Sequence, residues 1–168
     1  PIVCDMSSDI FSKKVNISNY DLIYAGAQKN MGPAGTTLYI VKDSVLESNS
    51  IPIPTMLNLK THVEKDSMFN TPPVFAIYTS MLTLRWLKKN GGIDWIEKLN
   101  QSKADLIYNE VDRNSLFTGT ANIEDRSNMN ATFDLTNQDV KTEFDQLLAE
   151  NNISGLKGHR SVGGYRAS

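Results

Sequence analysis

Tyr24-Ala25-Gly26-Ala27-Gln28-Lys29-Asn30-Met31-Gly32-Pro33-Ala34-Gly35 is the stretch from which the rest of the chain is read. It sets one lysine among small, turn-forming residues. The apolar run Leu22-Ile23-Tyr24-Ala25 leads into it, and the β-branched and aromatic run Thr36-Thr37-Leu38-Tyr39-Ile40-Val41 follows. The pattern predicts a buried strand, a tight loop and a second strand. A lysine on such a loop is a candidate for covalent chemistry. Low bulk lets a flat molecule approach the backbone, and burial makes a lysine amine a better nucleophile. A solvated lysine on a surface turn fits the same residues.

Working outward, residues 2–5 read as the end of a buried strand that stops at Asp5, and Ser7, Ser8 and Asp9 read as a turn or helix cap. Asp43-Ser44-Val45-Leu46 opens a short helix. Residues 49–73 are irregular, broken by Pro52, Pro54, Pro72 and Pro73, as in a functional loop or an interaction arm. His62 within them has no second histidine or cysteine at metal spacing and reads as a loop residue, so no metal site is expected. Residues 74–89 read as a helix, with Ile77, Met81, Leu84 and Leu87 or Lys88 at helical spacing and Gly91-Gly92 closing it. Residues 93–114 form a second long helix with Ile96, Leu99, Ala104, Ile107 and Val111 on or near one stripe. Residues 130–135 alternate as a strand. Residues 138–150 form a third helix with Phe144, Leu147 and Leu148 inward. Residues 153–156 and the segment around Val162 complete a small α+β unit. The order implies an α/β chain of two subdomains joined by the helix near residues 74–90.

Composition narrows the classes. The 168 residues are 40% hydrophobic and 21% charged, an ordinary globular balance for one domain or two small ones. A net charge of −2 argues against a general nucleic-acid binder, so any anion site is local. No run approaches the roughly eighteen apolar residues of a membrane span, and no signal peptide is visible. The single cysteine, Cys4, has no partner for an internal disulfide and reads as a buried strand thiol, which suits a reducing compartment.

Five stretches in order resemble one family. They are the Lys29 loop, Asp5-Met6-Ser7-Ser8-Asp9, Met68-Phe69-Asn70-Thr71-Pro72-Pro73, Asn90-Gly91-Gly92, and Lys157-Gly158-His159-Arg160-Ser161-Val162-Gly163-Gly164-Tyr165-Arg166-Ala167-Ser168. They are similar to the phosphoserine aminotransferase family, pyridoxal 5'-phosphate (PLP) enzymes of fold type I, class V, over essentially the whole chain. The resemblance implies that residues 1–96 are the C-terminal part of a large PLP-binding domain, a mainly parallel sheet with helices that carries the cofactor-lysine loop. It implies that residues 97–168 are a small α+β C-terminal domain cut short at its end. The chain would then be about the C-terminal half of a longer polypeptide.

The resemblance also implies roles. Lys29 would hold PLP covalently and move the substrate proton, and Asp5 would face the pyridine nitrogen. Gln28, Asn70 and Thr71 would bind the cofactor phosphate, the last two that of the neighbouring subunit in a homodimer. Arg166 would grip the substrate α-carboxylate, which a planar guanidinium matches with two parallel hydrogen bonds. His159 and Arg160 would bind the substrate phosphate across the dimer. The implied reaction is reversible amino transfer between 3-phosphoserine and 2-oxoglutarate, giving 3-phosphooxypyruvate and glutamate. It belongs to serine biosynthesis and, in bacteria, its enzymes also serve vitamin B6 synthesis. The implied setting is cytoplasmic, with no nucleic acid and no membrane. The family's main phosphate-binding loop, ring-stacking aromatic and further substrate arginine lie upstream of Asp5 and have no counterpart here.

Alternatives stay open on the residues. A non-catalytic assembly module could use the 49–73 arm and the basic tail, and a related class V transaminase could take another small substrate. A desulfurase needs a mobile cysteine, for which Cys4 in a strand is poorly placed. Asp5 could cap its own turn, Gln28 could be a plain loop amide, and Asn-Thr-Pro-Pro an ordinary turn. Residues 159–166 could be a basic surface loop, although Gly158, Gly163 and Gly164 favour close backbone approach.

Overall fold

Val3-Cys4-Asp5 and Leu22-Ile23-Tyr24-Ala25-Gly26 are short apolar runs closed by turn formers, and they pair as parallel strands β1 (Val3–Asp5) and β2 (Leu22–Gly26). The structure is a computed structural model that describes residues 1–47 and 51–168. The first two residues of the expected 49–73 arm therefore lie outside the described residues. The chain divides into two compact units, Pro1–Ile96 and Glu97–Ser168.

In the first unit β2 also pairs antiparallel with β3 (Thr37–Val41), giving the order β1-β2-β3. The sheet is thus half antiparallel among the described strands, where a mainly parallel one was expected. Only ten residues, 27–36, link β2 to β3. That is enough to reverse the chain and too few for a parallel crossover. The β1–β2 crossover is sixteen residues long and is made of turns and a 3₁₀ turn at Ile17–Asn19. Period-two alternation drives Ile23 and Ala25 into a core with Met6, Ile10, Ala27 and Met31.

After α1 (Asp43–Glu47) the arm is more ordered than its prolines suggest, with a 3₁₀ turn at Thr55–Leu57 and helix α2 (Leu59–Val63). Asn58 starts α2 by accepting the Lys60 N–H at 3.1 Å. His62 Nε2 bonds the Met56 carbonyl at 3.0 Å and its ring meets Phe69 edge-on. Helix α3 (Val74–Lys89) starts directly after Pro72-Pro73 and stops where Gly91 and Gly92 take positive φ. It buries Ala76 and Leu87, while Ile77, on the same helical spacing as Leu87, is exposed. Phe75, Tyr78, Leu82 and Trp86 are exposed too. The helix is apolar on more than one face, so spacing alone could not choose the inward stripe. Trp86 meets Trp95 edge-on at 5.5 Å between centroids.

Helix α4 (Gly92–Arg113) begins in the first unit and continues into the second. There β4 (Phe117–Gly119), β5 (Ala131–Leu135) and β6 (Tyr165–Ala167) form an antiparallel sheet in that order, with α5 (Lys141–Glu150) against it. Val162 belongs to the turn that precedes β6. Phe133 and Tyr165 stack at 5.6 Å and Phe144 meets Tyr165 edge-on at 5.0 Å. Leu147, expected inward, is 49% exposed; Phe144 and Leu148 are the core-facing residues of α5.

Tyr165 is buried, and its hydroxyl donates to Asp145 Oδ1 at 2.9 Å. Asp145 is also paired with Lys157 at 3.1 Å. Burial, then the Asp145 bond, pushes the phenol up to about 12. The sign follows directly. A proton held more tightly in the folded state contributes stability in full below the ordinary tyrosine value of about 10, and that stability is lost as pH rises towards 12. Thermal melts followed by far-UV circular dichroism across that window should fall more steeply for the parent chain than for Tyr165→Phe. Parallel curves would refute this coupling.

Candidate active site

The carboxyl ends of β1 and β2 bring the chemistry of the first unit together, as adjacent parallel strands do. Asp5 ends β1 and is the register partner of Tyr24 on β2. Past those residues the two turns are stitched together. Gly26 N–H donates to Ser7 Oγ at 3.0 Å, and Lys29 Nζ donates to Ser8 Oγ. Asn30 Nδ2 donates to the carbonyls of Ser8 at 3.3 Å and Ile10 at 2.9 Å. The lysine loop is therefore tied to the turn that leaves Asp5.

Asp5 accepts the Ser7 N–H at 2.8 Å. The Ser7 hydroxyl and amide, then the Tyr24 phenol and the positive Lys29, hold its carboxyl below the usual range. An ionised acid and a primary amine thus share one end of the sheet. The expected burial of Lys29 is not found: Ala27 and Met31 take the inward positions of the turn, and Lys29 between them is exposed. Gln28 is exposed as well, and its side chain folds over Gly26, where a Cβ would lie 2.4 Å from Gln28 Oε1. Gly32 lets α3 approach the loop, since a Cβ there would lie 3.1 Å from the Ser80 Cα.

Asn70 and Thr71 stand exposed before Pro72, and Asn70 Nδ2 donates to the Thr71 carbonyl at 3.4 Å. Among the described residues no hydrogen bond joins them to the lysine loop.

In the second unit the structure gathers the cationic residues on one tight loop and the strand leaving it. Gly158 N–H donates to the Gly164 carbonyl at 2.9 Å, and Lys157 bridges to Tyr165. The His159 carbonyl accepts the N–H groups of Val162 at 3.0 Å and Gly163 at 2.8 Å. His159 Nδ1 pairs with the Ser161 hydroxyl at 2.8 Å, and Arg160 is exposed at the turn. Arg166 is exposed on β6 opposite Thr132. Arg126 is instead taken up internally, forked onto Asp112 with two 2.7 Å bonds and lying 4.6 Å from the Tyr108 ring centroid.

Sequence reading passed over Tyr24 and Ser7 as partners of Asp5. Strand register was the available signal, because a parallel pairing ending at Asp5 sets Tyr24 opposite it. Among the described residues there is no group of three His, Cys, Asp or Glu that could hold a metal ion, and no helix is long and apolar enough to cross a membrane.

Residues 1–168 match the family model described as Aminotransferase class-V. A curated phosphoserine aminotransferase of Flavobacterium psychrophilum is 64% identical over 168 residues, which is 100% of this chain and 47% of that protein. Among solved structures, a phosphoserine aminotransferase studied for radiation damage of its Schiff base is 46% identical, with a TM-score of 0.91 over 100% of this chain and 47% of that one. A PLP-bound phosphoserine aminotransferase from Trichomonas vaginalis is 34% identical, with a TM-score of 0.90 over 100% of this chain and 48% of that one. The chain spans about half the length of the curated relatives it matches. These likenesses support an α/β aminotransferase fold. They do not extend to a small C-terminal domain in residues 97–168, so the second unit is named by its residues alone.

Proposed function

The chain belongs to the class-V aminotransferase family, and from that premise we propose that it carries the lysine, the ring-facing acid and the substrate-binding cations of a phosphoserine aminotransferase. The observation that carries this reading is the pairing at the ends of β1 and β2. Asp5 is held ionised, the Lys29 amine lies at the same end of the sheet, and Ser7 and Ser8 pin the two turns together.

PLP suits this donor set: an ionised acid fits a cationic ring nitrogen, and a primary amine fits an aldehyde. When bound, PLP supplies an aldehyde carbon for amines and a protonated ring that takes up electron density. Lys29 Nζ would hold the cofactor and, once released, take the proton from the substrate Cα and return it. Asp5 would keep the ring nitrogen protonated by charge pairing. Gln28, Asn70 and Thr71 would bind the cofactor phosphate. Arg166 would orient the substrate α-carboxylate, and His159 and Arg160 would hold the substrate phosphate. On this reading residues 1–96 belong to the cofactor-binding domain and residues 97–168 carry the substrate grip. The enzyme works as a cytoplasmic homodimer with shared sites, exchanging the amino group between 3-phosphoserine and 2-oxoglutarate and, in a bacterium, serving vitamin B6 synthesis too.

The test uses this chain completed with the remaining half of the Flavobacterium psychrophilum relative. Supplied with PLP, it should transfer the amino group of 3-phosphoserine far faster than that of serine. Replacing both His159 and Arg160 with alanine should shrink that preference by about 100-fold, the worth of two charge-assisted bonds to phosphate. An unchanged preference would reject the substrate assignment.

A further inference from the structure

A carboxylate and an amine at one end of a sheet would ordinarily pair directly and tie each other up. Here they do not: among the described residues no ion pair joins Asp5 and Lys29, whose amine donates to Ser8 instead. Something else occupies the acid. We propose that Tyr24 and Ser7 are positioning residues that hold the Asp5 carboxylate in one orientation, away from Lys29 and open to a cationic ring. This inference rests on the reading of Lys29 and Asp5 given above.

The geometry is a row across three strands. Asp5 on β1, Tyr24 on β2 and Tyr39 on β3 are successive register partners, so their side chains leave one face of the sheet. Register sets the Tyr24 phenol beside the Asp5 carboxylate, whose charge it helps to hold, and the Tyr24 ring rests against Tyr39 at 6.4 Å between centroids. Ser7 acts from the other side. Its N–H donates to Asp5 Oδ1 at 2.8 Å, and its hydroxyl, held in place by accepting the Gly26 N–H at 3.0 Å, lowers the Asp5 carboxyl further. One turn and the neighbouring strand thus act on the same carboxylate, with two consequences. The acid stays charged without needing the lysine, and the lysine stays available. The charged or titratable groups that face this cluster are Lys29 from the loop and Tyr24 and Tyr39 from the sheet, with Cys4 on the opposite face against the core. The bond to Asp5 raises the Tyr24 phenol in turn, so it remains a donor throughout the neutral range.

The experiment again uses the completed chain, with ¹³C-labelled carboxyl groups and the Asp5 resonance assigned by its loss in Asp5→Asn. Tyr24→Phe keeps the ring against Tyr39 and removes only the hydroxyl. The Asp5 titration midpoint should move up in Tyr24→Phe and in Ser7→Ala, and should return in Ser7→Thr, which restores a hydroxyl. The PLP concentration for half-saturation should rise roughly five- to tenfold in Tyr24→Phe, about one hydrogen bond's worth. An Asp5 midpoint unmoved in both Tyr24→Phe and Ser7→Ala overturns the proposal, whatever the activity. If the midpoint moves but the parent chain takes up no PLP, the positioning roles stand and the aminotransferase reading falls.

Discussion

Lys29→Ala, in the completed chain, is expected to lower amino transfer by about 10⁴-fold, because on the proposed reading one side chain would serve as both the cofactor's covalent holder and the base. The fold should survive. Lys29 is exposed, and the tie between the turns persists through Gly26–Ser7 and the two Asn30 bonds. Far-UV circular dichroism should therefore be unchanged. The nearest competing explanation is that another lysine does the chemistry. Lys42 is engaged with Asp21 at 3.0 Å, beside the start of β2 rather than its end. Borohydride reduction in the presence of PLP, followed by peptide mass analysis, decides the matter. The parent should carry cofactor mass on the peptide containing Lys29, and Lys29→Ala should carry none. Cofactor mass on a different lysine in the parent would overturn the assignment.

The second large effect is structural, and it falls on the loop proposed above to grip the substrate. A Cβ built on Gly158 would lie 2.1 Å from the Gly163 carbonyl oxygen and 3.0 Å from that of Gly164. Both obstacles are backbone, so no rotamer change relieves them. Gly158→Ala must open the loop, break the Gly158–Gly164 bond and displace His159 and Arg160. A cost of about 3 kcal/mol is expected, the upper end of ordinary single substitutions. Loss of phosphoserine preference should accompany it. Gly163→Ala is the control. Its φ of 83° strains an alanine, but nothing lies within 4 Å of the added carbon, so about 1 kcal/mol is expected. Urea denaturation of the three proteins measures both. Equal losses at 158 and 163 would show that close approach is not what selects glycine at 158.

What could be read in advance follows physical range. The lysine loop and its two flanking strands came through because alternation, small residues and turn formers are local signals. Helices α3 and α4 were found for the same reason, and the glycines between them marked the break. The pairing direction of β3 did not come through, since loop length governs it more than strand composition. Phe117–Gly119 left no trace because three residues cannot show a period. Helical spacing did not say which face of α3 is buried, because several of its faces are apolar and Ile77 on that spacing is exposed. At the site, Asp5 and Lys29 were each visible as residue types. The Tyr24 and Ser7 hydroxyls were not, because their meaning comes from register and from a bond across nineteen positions of sequence between Ser7 and Gly26.

The edge-on meeting of Trp86 and Trp95 has a practical outcome. These are the only two tryptophans in the sequence, and both lie in Pro1–Ile96. Intrinsic indole emission will therefore follow a single corner, where α3 gives way to α4. It will stay silent on the phenylalanine and tyrosine cluster of Glu97–Ser168. A denaturation curve recorded by emission and another by far-UV dichroism will coincide only if the two units melt together, so unmodified protein already carries a one-unit optical probe.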